Sequence, residues 1–480
     1  MNREFLLNIL FLLLVNLLIK PFYIFGIELT IQNEVGKAEY GLYFTLFNFT
    51  LVLQIVNDLG IQYFNNRHIS QHPQLLGKYF PPMLVTKGLL GIFYFFLILV
   101  IGWLLGYQAY FYGLLLPLAF NQLLSSLLLF LRSNVSGLAM YRTDSLLSIL
   151  DKSLLIIICL VLFQIAPVFR IEWFVYAQTS SLLATVIIAF FSFYKRLIPI
   201  RFRVNWALVK LILKESFPYA LTVLVMSAYS RLDVVLIERL LPNGQAEAGV
   251  YASAYRLLDA ANMLGFLFAS LLLPMFARLL KERQGVGTLL QFSFQLILAG
   301  AIPVVVAIIF FRYHIMNALY TEATVESGDI LALLMGSFLA YCSIYIYGSL
   351  LTANRNLLQI NRLFIAAFML NVTLNYFIIP YYFAVGAAGV ALFTQFFVAV
   401  GQMIFVHRKL QISFSGKMLL RIVSFTTFVI FSNYFIYNYL NSDWILKLIL
   451  AVLIGLISAL LFQLIDWKAV GELWRPSEKK

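Results

Sequence analysis

Apolar runs of about 20 residues follow one another along the whole chain, and they restrict its fold more than any other feature. A helix needs about 20 apolar residues to cross the hydrocarbon core of a bilayer, and it satisfies its backbone hydrogen bonds internally. The 480 residues are 62% hydrophobic and only 11% charged, whereas about a quarter of the residues in a soluble domain are charged. We therefore predict an all-α membrane protein with about fourteen transmembrane helices.

Basic residues predict the orientation of these helices. If the N-terminus is cytoplasmic and the spans alternate, most of the 34 Lys and Arg residues fall in cytoplasmic loops. The outer loops then contain Lys37, Arg170, Arg239, Arg312 and Lys447. The positive-inside rule thus predicts that both termini are cytoplasmic. It also explains the net charge of +13 without a nucleic-acid partner, and we expect no such partner.

A short phrase occurs twice, as AEYGLY at Ala38–Tyr43 and as AEAGVY at Ala246–Tyr251. Both copies stand at the predicted outer start of a long span, the second and the eighth. We therefore predict two six-helix, pseudo-symmetric lobes followed by two more helices, with the substrate site between the halves. The predicted divisions are an N-terminal lobe at 1–196, a basic cytoplasmic linker at 197–214, a C-terminal lobe at 215–410, and two additional helices with a cytoplasmic tail at 411–480.

Five basic residues lie within or near apolar spans: Lys20, Lys87, Lys152, Arg231 and Arg256. Lys87 stands near the inner interface and Lys152 stands beside Asp151, so a structural role explains these two, and the other three carry the functional argument. Such a residue costs about 2.5–3.5 kcal/mol at a helix centre, and chains keep it when it faces water, a partner charge or an anion. Polar residues at helical spacing accompany all three. Together these stripes predict a wet cationic cavity, and purely structural ion pairs are the alternative. The stripe residues are Asn16 and Tyr23 with Lys20, Glu238 with Arg231, and Tyr251, Tyr255, Asp259 and Asn262 beside Arg256.

Two stretches of the chain resemble a known family. Ser230–Leu280 contains an Asp, then a Gly-x-Tyr-x-x-Ala-Tyr-Arg run, and then a Leu-Pro before a basic end. The stretch that begins with AEYGLY resembles the same family. That family is the polysaccharide-exporter (Wzx-like) branch of the multidrug/oligosaccharidyl-lipid/polysaccharide (MOP) flippase superfamily. The matching residues are Asp233, Gly249, Tyr251, Ala254, Tyr255, Arg256, Pro274 and Arg278 in the first stretch, and Gly41, Tyr43, Asp58, Gly60 and Arg67 in the second.

The resemblance implies a flippase of the bacterial cytoplasmic (inner) membrane. Its substrates would be polyprenyl-pyrophosphate-linked oligosaccharides, such as O-antigen, capsule or exopolysaccharide precursors. Alternating access would move them from the inner to the outer leaflet. The implied partners are this lipid-linked glycan, membrane lipids, and glycan polymerase and assembly proteins.

Specific residues are expected to serve this function. Lys20, Arg231 and Arg256 would supply positive charge to the phosphates of the substrate. The side chains expected to contact the glycan are Asn16, Tyr23, Asn48, Tyr251, Tyr255, Asn262, Tyr341 and Tyr345. The acids expected to form ion pairs or to bind a coupling ion are Asp233, Glu238 and Asp259.

Other functions are open as alternatives. A lipid II flippase or a cation-coupled multidrug exporter would belong to the same superfamily, although a drug exporter should have an acidic cavity. A membrane glycan polymerase or ligase would carry its chemistry in a long outer loop, and the outer connections near Glu28–Lys37 and Arg312–Asp329 are short. The sequence has no evident catalytic constellation or phosphate-binding glycine loop. We therefore expect a protein that is not an enzyme, with no cofactor and no metal.

Overall fold

The fold was analysed in a computed structural model, which describes residues 16, 18–62, 65, 69, 72–165, 168–194, 206–354, 356–412 and 416–464. Within these residues the structure contains helices and no strand. The predicted all-α class is thus confirmed. The predicted linker at 197–214 is described only from Trp206 onward.

The helices are named here in chain order. A π-helical turn, Tyr23–Glu28, leads into the first of them, and a 3₁₀ turn, Gln54–Asn57, follows it. The helices are α1 (Leu29–Leu53), α2 (Leu76–Leu104), α3 (Ala109–Gly137), α4 (Tyr141–Ile165), α5 (Ile171–Phe193), α6 (Trp206–Arg231), α7 (Asp233–Leu240), α8 (Gly244–Lys281), α9 (Gly287–Leu319), α10 (Val325–Ala353), α11 (Leu357–Leu410), α12 (Gly416–Tyr439) and α13 (Trp444–Leu461).

The number of membrane spans agrees with the sequence. In the described part of the chain, 11 helical segments are long and apolar enough to cross a membrane, or 12 if α6 and α7, bent by 46°, form one span. Two of the segments contain a break, at Gly36 (φ 80°) within Leu18–Asn57 and at Phe383 (φ 52°) within α11. Division of α11 at its break gives two segments, as the sequence predicts for that region, whereas the first predicted span, centred on Leu14, lies mostly outside the described residues.

The chain forms two compact units, Met1–Ala252 and Ser253–Lys480. These units follow contacts between residues, whereas the predicted lobes follow the sequence repeat, and the lobes stay a prediction. In the first unit, α3 packs against α1 and α5, and α5 packs against α4. The apolar core of this unit includes Phe80, whose ring stacks on Phe130 at a centroid distance of 5.6 Å and meets Phe193 edge-on at 5.8 Å.

The second unit is organised around α9 and α10. Helix α10 packs against α9 and α11, while α12 and α13 pack against α9. Gly455 of α13 lies against Pro303 of α9, where a Cβ atom would overlap the proline ring. The absence of a side chain lets α13 approach Pro303 of α9 closely, as small residues do at helix interfaces in membranes.

The repeated phrase marks a close helix crossing inside the first unit. A Cβ atom on Gly41 of α1 would overlap the carbonyl oxygen of Gln245 in α8, and one on Gly249 would overlap the carbonyl oxygen of Lys37. Gly41 therefore faces the backbone of Gln245, one helical turn before Gly249. Gly249 in turn faces the backbone of Lys37, one helical turn before Gly41. Gln32 also donates a hydrogen bond to the Gly249 carbonyl at 3.0 Å. This reciprocal contact explains why both copies of the phrase contain glycine, and it is the pattern that a two-fold axis between the copies would produce.

The crossing predicts the effect of enlarging its glycines. Gly249→Ala should lower the free energy of unfolding by about 1–3 kcal/mol, because the added methyl group has no space. Gly113→Ala in α3 is the matched control, since a Cβ atom there meets nothing within 4 Å. The control should leave stability unchanged or raise it by up to about 1 kcal/mol, because alanine favours helix. Thermal unfolding of the purified proteins measures both effects, and equal melting temperatures for the two variants would contradict the close crossing.

Candidate functional site

A group of cations lies along α4 in the first unit. Arg132 Nε, near the end of α3, donates to Asp144 Oδ1 in the first turn of α4 at 2.8 Å. Two turns further along α4, Lys152 Nζ pairs with Asp151 Oδ2 at 3.6 Å. Lys20 lies within electrostatic range of Arg132, Asp151 and Lys152. We call these five residues the cation cluster; it contains three cations and two carboxylates.

Lys20 is the one cation of this cluster that has no ion-pair partner among the described residues. Arg132 and Lys152 each have an acidic partner, whereas the Lys20 ammonium forms no ion pair with any residue that the structure describes. Lys20 lies in the part of the segment Leu18–Asn57 that precedes the break at Gly36, at the end of the apolar run that begins the sequence. A half-buried lysine with surplus charge in such a segment is a candidate anion-binding group.

The two stripe residues beside Lys20 contact α4 or a residue of the cation cluster. Asn16 donates from Nδ2 to Ser148 Oγ at 3.2 Å. The Lys152 ammonium lies 4.6 Å from the centre of the Tyr23 ring, a cation–π contact, and the Tyr23 hydroxyl donates to Glu28 Oε1 at 2.9 Å. Both side chains are buried, so in this conformation they hold the first span against α4. Their contact with a glycan stays a prediction.

Arg231 stands at the end of α6 and contacts α1. Its Nη1 donates to Asn48 Oδ1 at 3.5 Å, so two predicted site residues meet in the structure. The predicted stripe from Arg231 to Glu238 is wrong, because the helix breaks at Leu232 and α7 continues at an angle of 46°. A periodicity argument assumes a straight helix, and this condition is not met between Arg231 and Glu238.

Glu238 pairs instead with its neighbour Arg239. Both guanidinium nitrogens Nε and Nη2 donate to the buried carboxylate, in a two-point contact. Arg239 Nη1 also donates to the Leu105 carbonyl at 3.0 Å, and the guanidinium lies 4.1 Å from the centre of the Tyr107 ring. Burial, together with the Glu238 carboxylate, raises the pKa of the Tyr107 phenol, which keeps it protonated at neutral pH. Arg239 thus fastens α7 to the connection between α2 and α3.

Asp233, another predicted acid, begins α7 and is buried. It accepts a hydrogen bond from the hydroxyl of Tyr251 at 3.2 Å. Tyr251 is itself fully buried in the first unit. The contact therefore joins α7 to the first turns of α8, and it brings together two residues that the sequence placed in different roles.

In the second unit, α8 carries Arg256 and Asp259 one turn apart. Arg256 Nη1 lies 3.9 Å from Asp259 Oδ2, so the predicted ion pair is present. Tyr255 is buried beside Arg256. The amide oxygen of Asn262 has no hydrogen-bond partner among the residues that the structure describes. These side chains lie on one helix, as the sequence predicted, and their contact with substrate stays a prediction.

Tyr341 and Tyr345 lie one turn apart on α10, and their rings stack at a centroid distance of 6.2 Å. The Tyr341 hydroxyl accepts a hydrogen bond from Gln395 Nε2 at 2.8 Å. Tyr345 covers Gly265 of α8, where a Cβ atom would overlap its ring. Both side chains are half-buried, which leaves part of each ring accessible.

The structure also contains polar groups that the sequence argument did not assign to the site. Lys87 pairs with Asp58, and Arg132 and Lys152 belong to the cation cluster. Their signal was a charge inside or beside an apolar run; the partner of Lys152 is the adjacent residue, whereas the partners of Lys87 and Arg132 belong to other segments. No group of three or more His, Cys, Asp or Glu side chains among the described residues is placed to hold a metal ion.

A comparison with models of known protein families identifies the family of this chain. A family model described as "Polysaccharide biosynthesis protein" matches residues 5–280, more than half of the sequence. The chain belongs to this family. The matched region contains the cation cluster, both copies of the repeated phrase, and the stretches that suggested the resemblance. None of the curated proteins matches the chain in sequence.

Solved structures show the fold of this family member. The lipid II flippase MurJ, in an inward closed conformation, aligns with a TM-score of 0.74 over 97% of this chain and 100% of that chain, at 18% identity. An inward-facing multidrug resistance transporter of the MATE family aligns at 0.62, over 81% and 94%, at 15% identity. A MOP-superfamily transporter from Pyrococcus furiosus aligns at 0.60, over 84% and 95%, at 16% identity. The chain therefore has the fold of MOP-superfamily transporters.

The buried Glu238–Arg239 contact should contribute more to the free energy of unfolding than an exposed ion pair does. Arg239→Gln should lower the free energy of unfolding by about 3–5 kcal/mol, because the Glu238 carboxylate, 4% exposed, loses its partner. Arg278→Gln is the matched control, since Arg278 is 74% exposed and such pairs contribute about 0–1 kcal/mol. Thermal unfolding of both purified variants measures the difference.

A double variant separates charge from packing. Glu238→Gln combined with Arg239→Gln leaves no unpaired charge, and it should recover a substantial part of the lost stability. A double variant as unstable as Arg239→Gln would mean that the contacts of Arg239 with Leu105 and Tyr107, rather than its charge, account for the loss.

Proposed function

We propose that this protein is a flippase for polyprenyl-pyrophosphate-linked oligosaccharides, acting by alternating access. The observation that carries the proposal is Lys20, a cation at the end of the first apolar run that forms no direct ion pair with the described residues, although Asp151 lies within electrostatic range. An uncompensated charge at this position costs stability, so its retention is best explained by an anion that it meets during transport.

The chemistry of the substrate explains why such a cation is useful. A pyrophosphate and a glycan cannot cross hydrocarbon unaided, because an unpaired charge and many unsatisfied hydroxyl groups would each cost kcal/mol. Lys20 offers a point charge to the phosphates, while Arg231 and Arg256 can make two-point contacts with phosphate oxygens. Amide and tyrosine side chains can hydrogen-bond or stack with the sugars. We assign this role to Asn16, Tyr23, Asn48, Tyr251, Tyr255, Asn262, Tyr341 and Tyr345.

The family and the fold support this proposal. The family is described as a polysaccharide biosynthesis protein, and one solved structure of the same fold is a lipid II flippase. The Wzx-like branch, with O-antigen, capsule or exopolysaccharide precursors as cargo, is our finer assignment within the family. The resemblance of the α7–α8 stretch favours it over lipid II itself.

The charges of the site favour an anionic cargo over the alternatives. A MATE-type exporter of cationic drugs needs acidic groups that accept the drug, whereas the acids here are engaged: Asp259 with Arg256, Glu238 with Arg239, and Asp233 with Tyr251. We therefore assign these acids to ion pairing and hydrogen bonding in the resting protein. A glycan polymerase or ligase is less consistent with a fold shared with transporters.

The proposed setting is the bacterial inner membrane, with both termini in the cytoplasm and transport from the inner to the outer leaflet. Glycan polymerase and assembly proteins would then receive the cargo on the outer side. The proposal includes no chemical change to the cargo and no cofactor.

Lys20→Gln tests the function directly. In vesicles with a defined polyprenyl-pyrophosphate-linked oligosaccharide, its flipping rate should fall at least about tenfold, which corresponds to about 1.4 kcal/mol. Lys20→Arg should retain part of the rate, because it keeps the charge. Lys281→Gln, at the exposed end of α8, is the matched control and should flip at the wild-type rate.

Protein level and thermal stability are measured in the same preparations, so that unfolding is not mistaken for lost transport. If well-folded Lys20→Gln, Arg231→Gln and Arg256→Gln variants all flip the substrate at the wild-type rate, these cations are structural. Drug efflux by the wild type without any glycan flipping would favour the multidrug alternative.

A further inference from the structure

A groove lies between α4 and α5 in the first unit, and none of the substrate contacts proposed above uses it. Its α4 wall consists of Ile158, Leu162 and Ile165, and its α5 wall includes Trp173, Tyr176 and Ser180. The groove has a volume of about 480 Å³, within the range of about 300–1,000 Å³ that is usual for ligand pockets. Its size and its mainly apolar walls are those of a ligand site.

The groove is open along its length. At its edges Ile165 is 73% exposed and Tyr176 is 55% exposed. Ser180 is also exposed, and its hydroxyl donates to the Tyr176 carbonyl at 2.9 Å, so its proton is used within α5. Both helices are long and apolar enough to cross a membrane, which places the opening toward hydrocarbon. The ligand that fits such a groove is a hydrocarbon chain.

The face of α4 that lines the groove also carries the carboxylates of the cation cluster. Positions seven residues apart define this face, and they are Asp144, Asp151, Ile158 and Ile165. Seven residues are close to two turns of an α-helix, with a drift of about 20°. One side of α4 therefore changes from charged to apolar along its length. The groove begins about 10 Å beyond Asp151, because each residue adds 1.5 Å to the helix.

The two ends of the groove differ in charge. Beyond Ile165 the connection to α5 carries Arg170, whose charge is matched by Glu172 at 3.4 Å. At the other end lies the cation cluster, in which Lys20 is a third cation beside two carboxylates. The charged head of an anionic lipid in this groove is therefore attracted to the cluster end.

We propose that the α4–α5 groove binds the polyprenyl chain of the lipid-linked glycan while the cation cluster binds its pyrophosphate. The chain is attached directly to the phosphates, runs along α4 for about 10 Å, and enters the groove at the level of Ile158. The groove thus selects the lipid carrier, whichever sugar is attached to it. This inference rests on the proposed function, since it states where the chain of the proposed cargo lies.

Length favours this cargo over a membrane phospholipid. Ile165, at the far end of the groove, lies about 21 Å beyond Asp151 along α4. A phospholipid chain covers one leaflet, which is about 15 Å of the hydrocarbon core. A phospholipid with its phosphate at the cation cluster would leave the far end of the groove empty. A longer polyprenyl chain reaches that end.

Trp173 provides a direct readout, because it is part of the α5 wall. The purified protein is placed in phosphatidylcholine vesicles with polyprenyl pyrophosphate whose chain carries bromine atoms, which quench tryptophan fluorescence on contact. The quenching should saturate, and unlabelled polyprenyl pyrophosphate should reverse it. Trp173→Phe should remove the saturable part. This measurement does not depend on transport.

Ser180→Phe fills the groove, and Leu183→Phe is the matched control. Leu183 lies on the same helix and is 44% exposed, but it does not line the groove. Both variants should melt at the wild-type temperature, since the two positions are exposed. Quenching of Ser180→Phe should need at least about fivefold more brominated lipid, because the added ring takes the place of part of the chain.

Flipping assays test the same variants with full-length cargo and with a short-chain analogue that has the same head. Ser180→Phe should flip the full-length cargo at least about fivefold more slowly, and it should flip the analogue at the wild-type rate. Leu183→Phe should match the wild type with both substrates.

Three results would overturn the inference. Equal quenching by a phospholipid with brominated chains, not reversed by polyprenyl pyrophosphate, would show that the groove holds bulk lipid. No quenching by either lipid would show that the groove is closed to chains or covered by another protein. A folded Ser180→Phe variant with wild-type quenching and wild-type flipping would show that the chain lies elsewhere. If the wild type flips nothing, the proposed function fails, and the quenching still decides whether the groove binds the chain.

Discussion

Every charge inside the membrane-spanning helices must find a compensating group within the protein, because hydrocarbon offers none. The structure meets this requirement in several ways. Glu238 is held by the adjacent arginine, Asp259 by an arginine one turn away, and Asp58 by a lysine from another helix. Lys20 is different, since the acids around it are already engaged with other cations. The position where compensation is incomplete, Lys20, is the one that carries the proposed transport function.

The same requirement explains where the helices break. A broken helix exposes backbone groups, which is tolerated in a membrane protein only where they are buried in protein or face a water-filled cavity. The break after Leu53 lies beside the Asp58–Lys87 pair, and the bend at Leu232 separates Arg231 from the Glu238–Arg239 contact. Polar side chains thus cluster at the irregular parts of the spans.

The sequence predicted some residues and contacts of the candidate site and missed others. It identified Lys20, Arg231 and Arg256 because a basic residue in an apolar run is a strong local signal, and it identified the Arg256–Asp259 pair because both residues lie on one straight stretch of α8. The pairing of Arg231 with Glu238 failed, because the intervening bend has no clear marker in the sequence. The electrostatic proximity of Lys20 to Arg132 and the contact of Lys87 with Asp58 could not be predicted, since the segments that meet there are apart in the chain.

The sequence by itself determined the membrane environment, the helical class and the approximate number of spans, because hydropathy is a local property that about 20 consecutive residues are enough to express. It also marked the glycine positions of the α1–α8 crossing through a repeated phrase, without showing that the two copies touch. The tertiary structure decided which charges are paired, which helices are broken, and which lysine is left with surplus charge. These features depend on the packing of helices distant in sequence, where a shift of one helical turn exchanges one partner for another.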